Sequence, residues 1–172
     1  AKKNNSIKSA HDLSVLFDKT LDLLKNNYDL KKKYDFKNIK VIRELGPSLP
    51  KVLCEETKIQ QVLMNIIKNS MDETIGVQKK GVQKNARNLI LMFRLIKEEN
   101  MIRMEIEDNG PGIDRETRKR IFEPFFTTKD VDKGTGLGLS VSYFIIVDDH
   151  GGEMAVESAL KKGTKFIIKL PI

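Results

Sequence analysis

The sequence predicts an α+β fold, a two-layer α/β sandwich in which about three helices pack on a mixed, mostly antiparallel sheet of about five strands. Two observations predict this class. Apolar residues recur at helical spacing in three separate segments. Short runs with strand composition lie between and after those segments, and one pair of runs is joined by a polar turn typical of a hairpin.

The first predicted elements lie between residues 13 and 54. An amphipathic helix begins near Leu13, with Ser9 or Asp12 as its cap, because apolar residues repeat at helical spacing up to Leu24. A strand follows at Ile39–Leu45 and ends where Gly46 and Pro47 interrupt it. Val52–Cys54 predicts a short edge strand.

The remaining elements follow the same patterns. A helix from Lys58 to about Ile75 buries its apolar side, and a polar loop follows at Gly76–Asn85. An irregular segment, Asp108–Gly138, separates the later strands from a helix at Leu139–Asp149 that Gly151 and Gly152 stop. The predicted later strands are Asn88–Ile96 and Met101–Glu107, joined by a hairpin turn at Lys97–Asn100, and then Glu153–Ser158 and Thr164–Leu170.

Composition indicates one soluble domain. The chain has 172 residues, 40% hydrophobic and 32% charged, and no apolar run approaches the ~20 residues that span a bilayer. It starts at Ala1 with a polar stretch and no signal-peptide pattern, so we expect a piece of a longer protein. The single cysteine, Cys54, excludes an internal disulfide, fits a reducing, cytoplasmic compartment and is best interpreted as an apolar filler.

The net charge of +7 does not by itself indicate a nucleic-acid partner. Basic residues are spread along the chain, and the few aromatic residues lie in apolar patterns rather than among the charges. A solvated surface is the better interpretation. One cluster between two glycine-rich motifs could face an anionic ligand; it consists of Arg115, Arg118, Lys119, Arg120, Lys129 and Lys133.

Two asparagines mark the helix predicted from Lys58. Asn65 and Asn69 are four residues apart, so their carboxamides project from one face among apolar neighbours. A carboxamide oxygen is a suitable ligand for Mg²⁺, which takes most of its charged oxygens from nucleotide phosphates. The alternative is an exposed polar face.

Asp108 ends a predicted strand and opens the segment Asp-Asn-Gly-Pro-Gly, in which Gly110 and Gly112 let the backbone pass close to a planar ligand. A buried carboxylate accepts a hydrogen bond from the exocyclic amine of adenine, whereas guanine offers a carbonyl there. The alternative is a simple Asp-Asn-Gly turn.

A third motif, Gly-Thr-Gly-Leu-Gly-Leu-Ser at residues 134–140, directly precedes a predicted helix. Free backbone N–H groups and the helix dipole there can meet phosphates. A dinucleotide-binding turn is excluded because the motif follows a long polar segment rather than a strand, and a P-loop is excluded because no Gly-Lys-Ser/Thr follows at the required spacing.

Between the glycine motifs lies the segment Ile-Phe-Glu-Pro-Phe-Phe-Thr-Thr-Lys at residues 121–129. Adjacent phenylalanines in a polar loop need an apolar surface on which to pack. The segment is either a movable lid or a loop that aromatic side chains hold against the core.

In order and spacing, these motifs resemble the ATP-binding catalytic domain of sensor histidine kinases, in the GHKL ATPase and kinase superfamily. The resemblance runs from about Leu13 to Ile172, so we expect residues 13–172 to be that domain and residues 1–12 a linker from an upstream dimerisation domain. It also implies a flexible ATP lid at about residues 113–134, with Phe122, Pro124, Phe125 and Phe126 as anchors.

The resemblance assigns roles to individual positions. Asn69 holds Mg²⁺, Asp108 reads the adenine amino group, and Lys129 lies near the phosphates as a catalytic residue. Asn65, the second catalytic candidate, stands where related ATPases carry a glutamate that activates water, and asparagine cannot act as that base. The implied ATP contacts are Asn65, Lys68, Asn69, Asp72, Asp108, Gly110, Gly112, Ile113, Phe125, Thr135, Gly136, Leu137, Gly138, Leu139 and Thr164.

The implied activity is transfer of the γ-phosphoryl group of Mg-ATP to a histidine on a separate dimerisation domain, with a response regulator downstream. His11 lacks the acceptor pattern, and His150 is expected at a helix end. Neither nucleic acid nor membrane contact is expected of this domain, although its parent could be membrane-anchored. The alternatives are an ATP-hydrolysing relative and a non-catalytic interaction module. Modest departures from the family are Ser70 where alanine is usual, Asp72 where some relatives have lysine, and the 76–85 insertion.

Overall fold

The computed structural model describes residues 7–74, 88–127 and 137–172. The helices in these ranges are α1 (Leu13–Lys25), α2 (Tyr28–Lys33), α3 (Glu56–Thr74), α4 (Arg115–Arg120) and α5 (Gly138–Phe144), with a 3₁₀ turn at Phe36–Asn38 and a π-helical turn at Ile145–Asp149 that continues α5. The strands are β1 (Ser9–His11), β2 (Ile39–Leu45), β3 (Val52–Cys54), β4 (Leu89–Glu98), β5 (Met101–Asp108), β6 (Glu153–Ser158) and β7 (Thr164–Pro171). The predicted polar loop at 76–85 lies outside the described residues.

Five strands form one sheet in the order β2-β4-β5-β7-β6. β2 and β4 are parallel, and every other neighbouring pair in this sheet is antiparallel. β4 and β5 form the predicted hairpin, in which Glu98 pairs with Met101. The α+β class with a mixed, mostly antiparallel sheet is therefore confirmed. β1 and β3 form a separate antiparallel ribbon.

The two faces of the sheet differ in character. On β5, Ile102, Met104 and Ile106 are buried, and they belong to the core that also contains the apolar sides of α1 and α3. The residues between them face the other way, where the Arg103 Nε lies 2.7 Å from a carboxylate oxygen of Glu105. Because strand side chains alternate, one face packs on helices and the other carries ion pairs, which gives two layers.

Several boundaries differ from the sequence-based expectations. α3 begins at Glu56, two residues before the predicted Lys58, and the last helix begins at Gly138 and changes to a π-helical turn at Ile145. Residues 9–11, within the segment expected to be a linker, form β1. β1 pairs with β3, which lies far from it in sequence, so no local sequence pattern predicts this strand.

Two short helices were not predicted. α2 and α4 have six residues each, too few to show an apolar periodicity. Both have side-chain caps, since Asn27 accepts from the Leu30 N–H and Asp114 accepts from the Thr117 N–H. α4 lies inside the segment that was expected to be irregular. Asp12 caps α1, as one of the two predicted options.

Candidate nucleotide-binding site

Helix α3 carries the predicted polar side chains along the edge of its buried face. The helix buries a stripe of apolar residues that includes Ile59, Leu63 and Ile66. Its amphipathic pattern therefore fixes the direction in which the polar residues beside this stripe point. Those half-buried residues are Asn65, Lys68, Asn69 and Asp72.

The carboxamide of Asn65 bridges α3 to the start of α5. Its Nδ2 donates to the Gly138 carbonyl oxygen at 3.0 Å and to Ser142 Oγ at 3.1 Å. The carbonyl oxygen can only accept, so the amide nitrogen has to face it. The amide nitrogen therefore has two acceptors, both on the side of α5. Oδ1 is the atom left to meet a ligand, and no described residue donates to it.

The other polar residues of α3 have different surroundings. Within the described part of the chain, the Asn69 carboxamide and the Lys68 ammonium make no hydrogen bond or ion pair, so both are available to a ligand. The Asp72 carboxylate instead accepts from the Tyr34 hydroxyl and lies 3.7 Å from the Lys33 Nζ. Contact between Asp72 and a nucleotide would require these interactions to change.

Asp108 lies at the end of β5, where its side chain continues the buried alternation of that strand. Oδ1 accepts from the N–H groups of Gly110 at 2.9 Å and Thr164 at 3.2 Å. Oδ2 accepts from the Ser70 hydroxyl of α3 at 2.9 Å. The carboxylate is thus held by two loop or strand amides and one helix side chain, in a fixed orientation.

Burial raises the pKa of Asp108 above the ordinary aspartate value, and the hydrogen bonds from Gly110, Ser70 and Thr164 act in the opposite direction. A carboxylate can accept about four hydrogen bonds, and three are present here. One further donor, such as the amine of a base, would stabilise the charged form.

An unpaired hydroxyl lies beside this carboxylate. Thr74 Oγ1 is buried and has no hydrogen-bond partner among the described residues. A Cβ on Gly110 would come within 2.6 Å of it and 3.0 Å of Asp108 Oδ1, so a side chain at position 110 would crowd both groups. Buried hydroxyls are normally paired, and a bound ligand or water is the simplest partner for this one.

Two glycines hold the loops around Asp108 close together. Gly112 and Gly163 have φ angles of +74° and +76°. A Cβ on Gly112 would lie 1.9 Å from the Ala159 carbonyl oxygen, and one on Gly163 would lie 2.0 Å from the Asp108 carbonyl oxygen. Glycine is therefore required at both positions for conformation and for space.

Ser158, at the end of β6, organises the same region. Its Oγ accepts from the Ile113 N–H at 2.8 Å, donates to the Gly163 carbonyl at 2.7 Å, and lies 3.0 Å from Thr164 Oγ1. Thr164 therefore contacts Asp108 through its backbone N–H, while its hydroxyl faces Ser158. Ile113 is partly buried against the core.

The aromatic segment is only partly packed against the core. The Phe122 ring contacts those of Tyr143 and Phe166, with centroids 5.1 and 6.4 Å apart. Phe125 is 75% exposed and has a φ of +65°. Arg120 stacks over the Phe126 ring at 4.5 Å. The interpretation as a loop held by aromatic residues applies to Phe122, whereas the Phe125 side chain is mostly exposed.

The glycine-rich segment enters the described residues at Leu137. Gly138 begins α5, and its carbonyl holds Asn65, while Leu139 is partly buried against the core. Lys129, Thr135 and Gly136 lie outside the described residues. Of the predicted basic cluster, Arg118 donates to the Ser158 carbonyl and Arg120 pairs with Glu123, so both already have partners.

The structure adds residues that sequence reasoning did not assign to the site. Ser70 was noted only as a departure from alanine, yet it contacts the carboxylate of Asp108. Ser142, Ser158 and Thr74 were not singled out. A buried hydroxyl on a helix has no sequence signature of its own, since its role depends on what lies opposite. Among these four residues, only Ser70 is marked in the sequence, because it replaces the usual alanine.

His150 lies at the end of the π-helical turn, as the resemblance implies. Its Nε2 accepts from the Glu55 N–H at 3.1 Å, and its Nδ1 lies 2.8 Å from the Ile145 carbonyl oxygen. Nearby, Lys58 pairs with Asp149 at 3.0 Å. These contacts fasten the start of α3 to the end of the helix that begins with α5, and so fix the two helices that carry the site.

The residues present fit an adenine nucleotide with Mg²⁺. The buried carboxylate of Asp108 and the unpaired Thr74 hydroxyl are groups that a base can satisfy. The carboxamide oxygens of Asn65 and Asn69 are neutral ligands of the kind that complete the coordination of a Mg²⁺ ion held mostly by phosphate oxygens. Among the described residues no group of three or more histidine, cysteine, aspartate or glutamate side chains lies close enough together to hold a metal.

No helix in the described ranges combines the length and apolar character needed to cross a membrane.

Comparison with known proteins identifies the family. Residues 54–172 match the family described as histidine kinase-, DNA gyrase B-, and HSP90-like ATPases. Sporulation kinase E of Bacillus subtilis is 35% identical over 153 residues, which cover 89% of this chain and 18% of the kinase. The sensory histidine kinase/phosphatase NtrB of Klebsiella oxytoca is 32% identical over 136 residues, 78% of this chain and 38% of NtrB. The chain therefore spans a minor part of these relatives.

Solved structures agree with this match. The catalytic domain of the histidine kinase ThkA, in a nucleotide-free form, superposes with a TM-score of 0.74 at 29% identity, over 95% of each chain. ThkA in complex with the response regulator protein TrrA gives a TM-score of 0.71 at 27% identity, over 95% of this chain and 41% of that one. The chain belongs to the histidine kinase-, DNA gyrase B- and HSP90-like ATPase family, and corresponds to the ATP-binding catalytic domain of sensor histidine kinases.

Proposed function

We propose that this domain binds Mg-ATP and donates the γ-phosphoryl group to a histidine on a separate dimerisation domain. The observation that carries the proposal is the pair of groups at the two ends of the site. The buried carboxylate of Asp108 needs one more donor, and the side chain of Asn65 offers an oxygen while its amide hydrogens are held. A base and a phosphate chain would satisfy both.

Asn65 favours transfer over hydrolysis. A hydrolase needs a base that takes a proton from water, and a carboxamide cannot do this. The local geometry also disfavours a carboxylate at this position, since it would face the Gly138 carbonyl oxygen, 3.0 Å from the present amide nitrogen. Without a base, the domain supplies position and charge stabilisation, and the nucleophile is the imidazole of the partner.

In the proposed reaction, an imidazole nitrogen of the acceptor forms a bond to the γ-phosphorus, and the bond from that phosphorus to the β–γ bridging oxygen breaks, leaving ADP. Mg²⁺, when bound, would neutralise phosphate charge, with Asn69 as its protein ligand. Asp108 would hold the base, with Gly112 and Ile113 beside it. Lys68, and Lys129 in the lid at about 113–134, would face phosphates.

The proposal also covers the surroundings of the domain. We expect residues 13–172, together with β1, to act as the catalytic unit, with the residues before β1 leading to the acceptor domain. A response regulator would receive the phosphoryl group next; ThkA, a solved structural relative, is seen in complex with one. Because the proposed reaction consumes ATP, we expect the domain to act in the cytoplasm.

The first test is calorimetric titration of the chain with a non-hydrolysable ATP analogue and with the matching GTP analogue, both with Mg²⁺. We expect saturable binding of the ATP analogue alone, because guanine presents a carbonyl to Asp108. Binding of neither analogue would overturn the proposal in favour of a non-catalytic module.

The second test supplies an acceptor. Incubating the chain with labelled ATP and a histidine kinase dimerisation domain should transfer label to that domain, with little free phosphate. Steady phosphate release without labelled protein would instead identify an ATP hydrolase.

A further inference from the structure

The hydroxyl of Ser142 is fully buried between α5 and α3. It donates to the Gly138 carbonyl one turn earlier, at 2.8 Å, and accepts from Asn65 Nδ2 at 3.1 Å. Asn65 Nδ2 also donates to the same Gly138 carbonyl, at 3.0 Å. The three groups form a closed triangle that ties the side chain of Asn65 to the first turn of α5.

We propose that Ser142 is a positioning residue for Asn65, holding its amide nitrogen toward α5 so that its oxygen faces the nucleotide. This inference rests on the proposed function, since it takes Oδ1 of Asn65 as a nucleotide-facing group. Ser142 itself need not touch the ligand. It acts by accepting a second hydrogen bond from the amide nitrogen that the Gly138 carbonyl also engages.

The physical reason is that the terminal torsion of an asparagine side chain has no strong preference of its own. Torsions next to a planar carboxamide are broad and roughly two-fold, so hydrogen-bond partners decide where oxygen and nitrogen lie. The Gly138 carbonyl specifies the nitrogen side with one hydrogen bond. Ser142 adds a second acceptor beside the first, and two acceptors hold the amide nitrogen in place more firmly than one.

An apolar residue at position 142 would break the triangle. The amide nitrogen of the half-buried Asn65 would then keep one acceptor instead of two, and the carboxamide would be held less firmly in its present orientation. Losing one such hydrogen bond corresponds to about 0.5–1.5 kcal/mol, or roughly a two- to tenfold loss of a binding geometry that depends on it.

A matched control exists on α1. Thr20 is also fully buried in a helix, and its Oγ1 donates to the Leu16 carbonyl one turn earlier, at 2.8 Å. It contacts no residue of the candidate site through this hydroxyl. Thr20→Val therefore removes the same kind of helix hydrogen bond as Ser142→Ala, without affecting Asn65.

The experiment is a double-mutant cycle read by calorimetry, with the Mg²⁺ complex of a non-hydrolysable ATP analogue as the probe. The whole chain is used as the unchanged protein and as Ser142→Ala, Asn65→Ala, the double variant and Thr20→Val. We expect Ser142→Ala to weaken binding about two- to tenfold, Thr20→Val to leave it unchanged, and the double variant to bind as Asn65→Ala does. If Ser142 only stabilised the fold, the loss of binding caused by Ser142→Ala would be the same with and without Asn65.

Two outcomes would overturn the inference. One is unchanged affinity of Ser142→Ala, and the other is additive losses in the double variant. Thermal unfolding shows whether each variant is folded, and Ser142→Cys, which keeps the volume but is a weaker hydrogen-bonding group, replaces Ser142→Ala if that variant unfolds; it should weaken binding, and unchanged affinity would again count against the inference. Failure of the unchanged chain to bind the probe would overturn the proposed function itself, and this inference with it.

Discussion

The two ends of the candidate site are built in different ways. At the base end, around Asp108, the carboxylate already accepts from Gly110, Thr164 and Ser70 and is buried. At the phosphate end, where α3 meets α5, Asn65 and Asn69 are only half-buried and present carboxamide oxygens to which no described residue donates. The first end is nearly complete without a ligand, and the second is not.

This difference teaches which part of recognition each end can provide. Backbone amides and a buried helix hydroxyl hold Asp108 in one orientation, so the base end can distinguish one base from another with little reorganisation. The phosphate end offers neutral oxygens and the ammonium of Lys68. These groups contribute binding energy only when the ligand brings a charged partner for them. We therefore expect substitutions at the base end to affect folding and base choice, and those at the phosphate end to affect metal-dependent binding.

The largest expected effect is that of Gly112→Ala on stability at the base end. The new Cβ would lie 1.9 Å from the Ala159 carbonyl oxygen at a φ of +74°, and we expect the free energy of unfolding to fall by more than about 3 kcal/mol, because conformational strain and overpacking add. Urea unfolding would measure it. Gly151→Ala is the control, because its φ is +63° but no atom lies within 4 Å of the new Cβ. Equal losses in both would show that conformation alone, and not the close approach, matters at Gly112.

The next largest effect is that of Asp108→Asn on nucleotide binding. An asparagine would turn an amide toward the adenine amine, and one donor facing another should weaken ATP-analogue binding about 100-fold, which corresponds to about 2.7 kcal/mol. Calorimetry measures it, with Asp114→Asn, a change in the exposed cap of α4, as the control. Unaltered affinity would show that Asp108 only stabilises a turn and does not bind the base.

At the phosphate end, Asn69→Ala should weaken binding of the Mg-ATP analogue about tenfold and leave metal-free ADP binding nearly unchanged, because it removes one ligand of the ion. Paired titrations with Mg²⁺ and with a chelator measure the ratio. Equal weakening of both would contradict the assignment of Asn69 as the metal ligand. A loss seen only with Mg²⁺ would strengthen the contrast between the two ends of the site, because Asp108→Asn should weaken binding of both the Mg-ATP analogue and metal-free ADP.

A smaller effect is expected from pH. The pKa of Asp108 is raised by burial, so its carboxylate gains a proton at a higher pH than an exposed aspartate does. Binding of the adenine amine requires the charged form, and affinity should therefore be full above the raised pKa and fall as the pH decreases through it. Titrations at several pH values measure this. The fall should be absent in Asp108→Asn, and a fall that persists there would belong to another group.

The smallest expected effect is on stability in Thr74→Val. The hydroxyl is buried without a partner, so removing it should leave the free energy of unfolding within about 0.5 kcal/mol or raise it. The same change should weaken ATP-analogue binding severalfold if a ligand or water satisfies the hydroxyl. Thermal unfolding and calorimetry on one preparation separate the two. Lower stability with unchanged binding would show that Thr74 serves the fold and not the base end.

Much of the fold was predictable because its patterns are local. The alternation in β5, the stripe of α3 and the hairpin of β4 and β5 each lie within one short segment and appear in the structure, although β4 extends to Glu98, into the predicted turn. β1 was not predictable, since its stability depends on β3 about forty residues away. α2 and α4 are too short for a periodic signal, although their caps at Asn27 and Asp114 were visible.

The residues of the candidate site also divide into those that the sequence predicts and those that it does not. Asn65, Asn69 and Asp108 were identifiable because side-chain chemistry and spacing mark them. The contacts of Ser70 and Ser142 were not, because each hydroxyl serves a residue from another element. The engagement of Asp72 by Tyr34 and Lys33 was likewise invisible in the sequence.

By itself, the sequence determined the class of fold, the order of the motifs and the chemical groups available to a nucleotide, because periodicity, glycine positions and residue types are properties of short segments. Only the tertiary structure decided which way those groups face. The Asn65 amide turns toward Gly138 and Ser142, and the Asp108 carboxylate toward Ser70, since a side chain takes its orientation from the hydrogen-bond partners that folding brings to it.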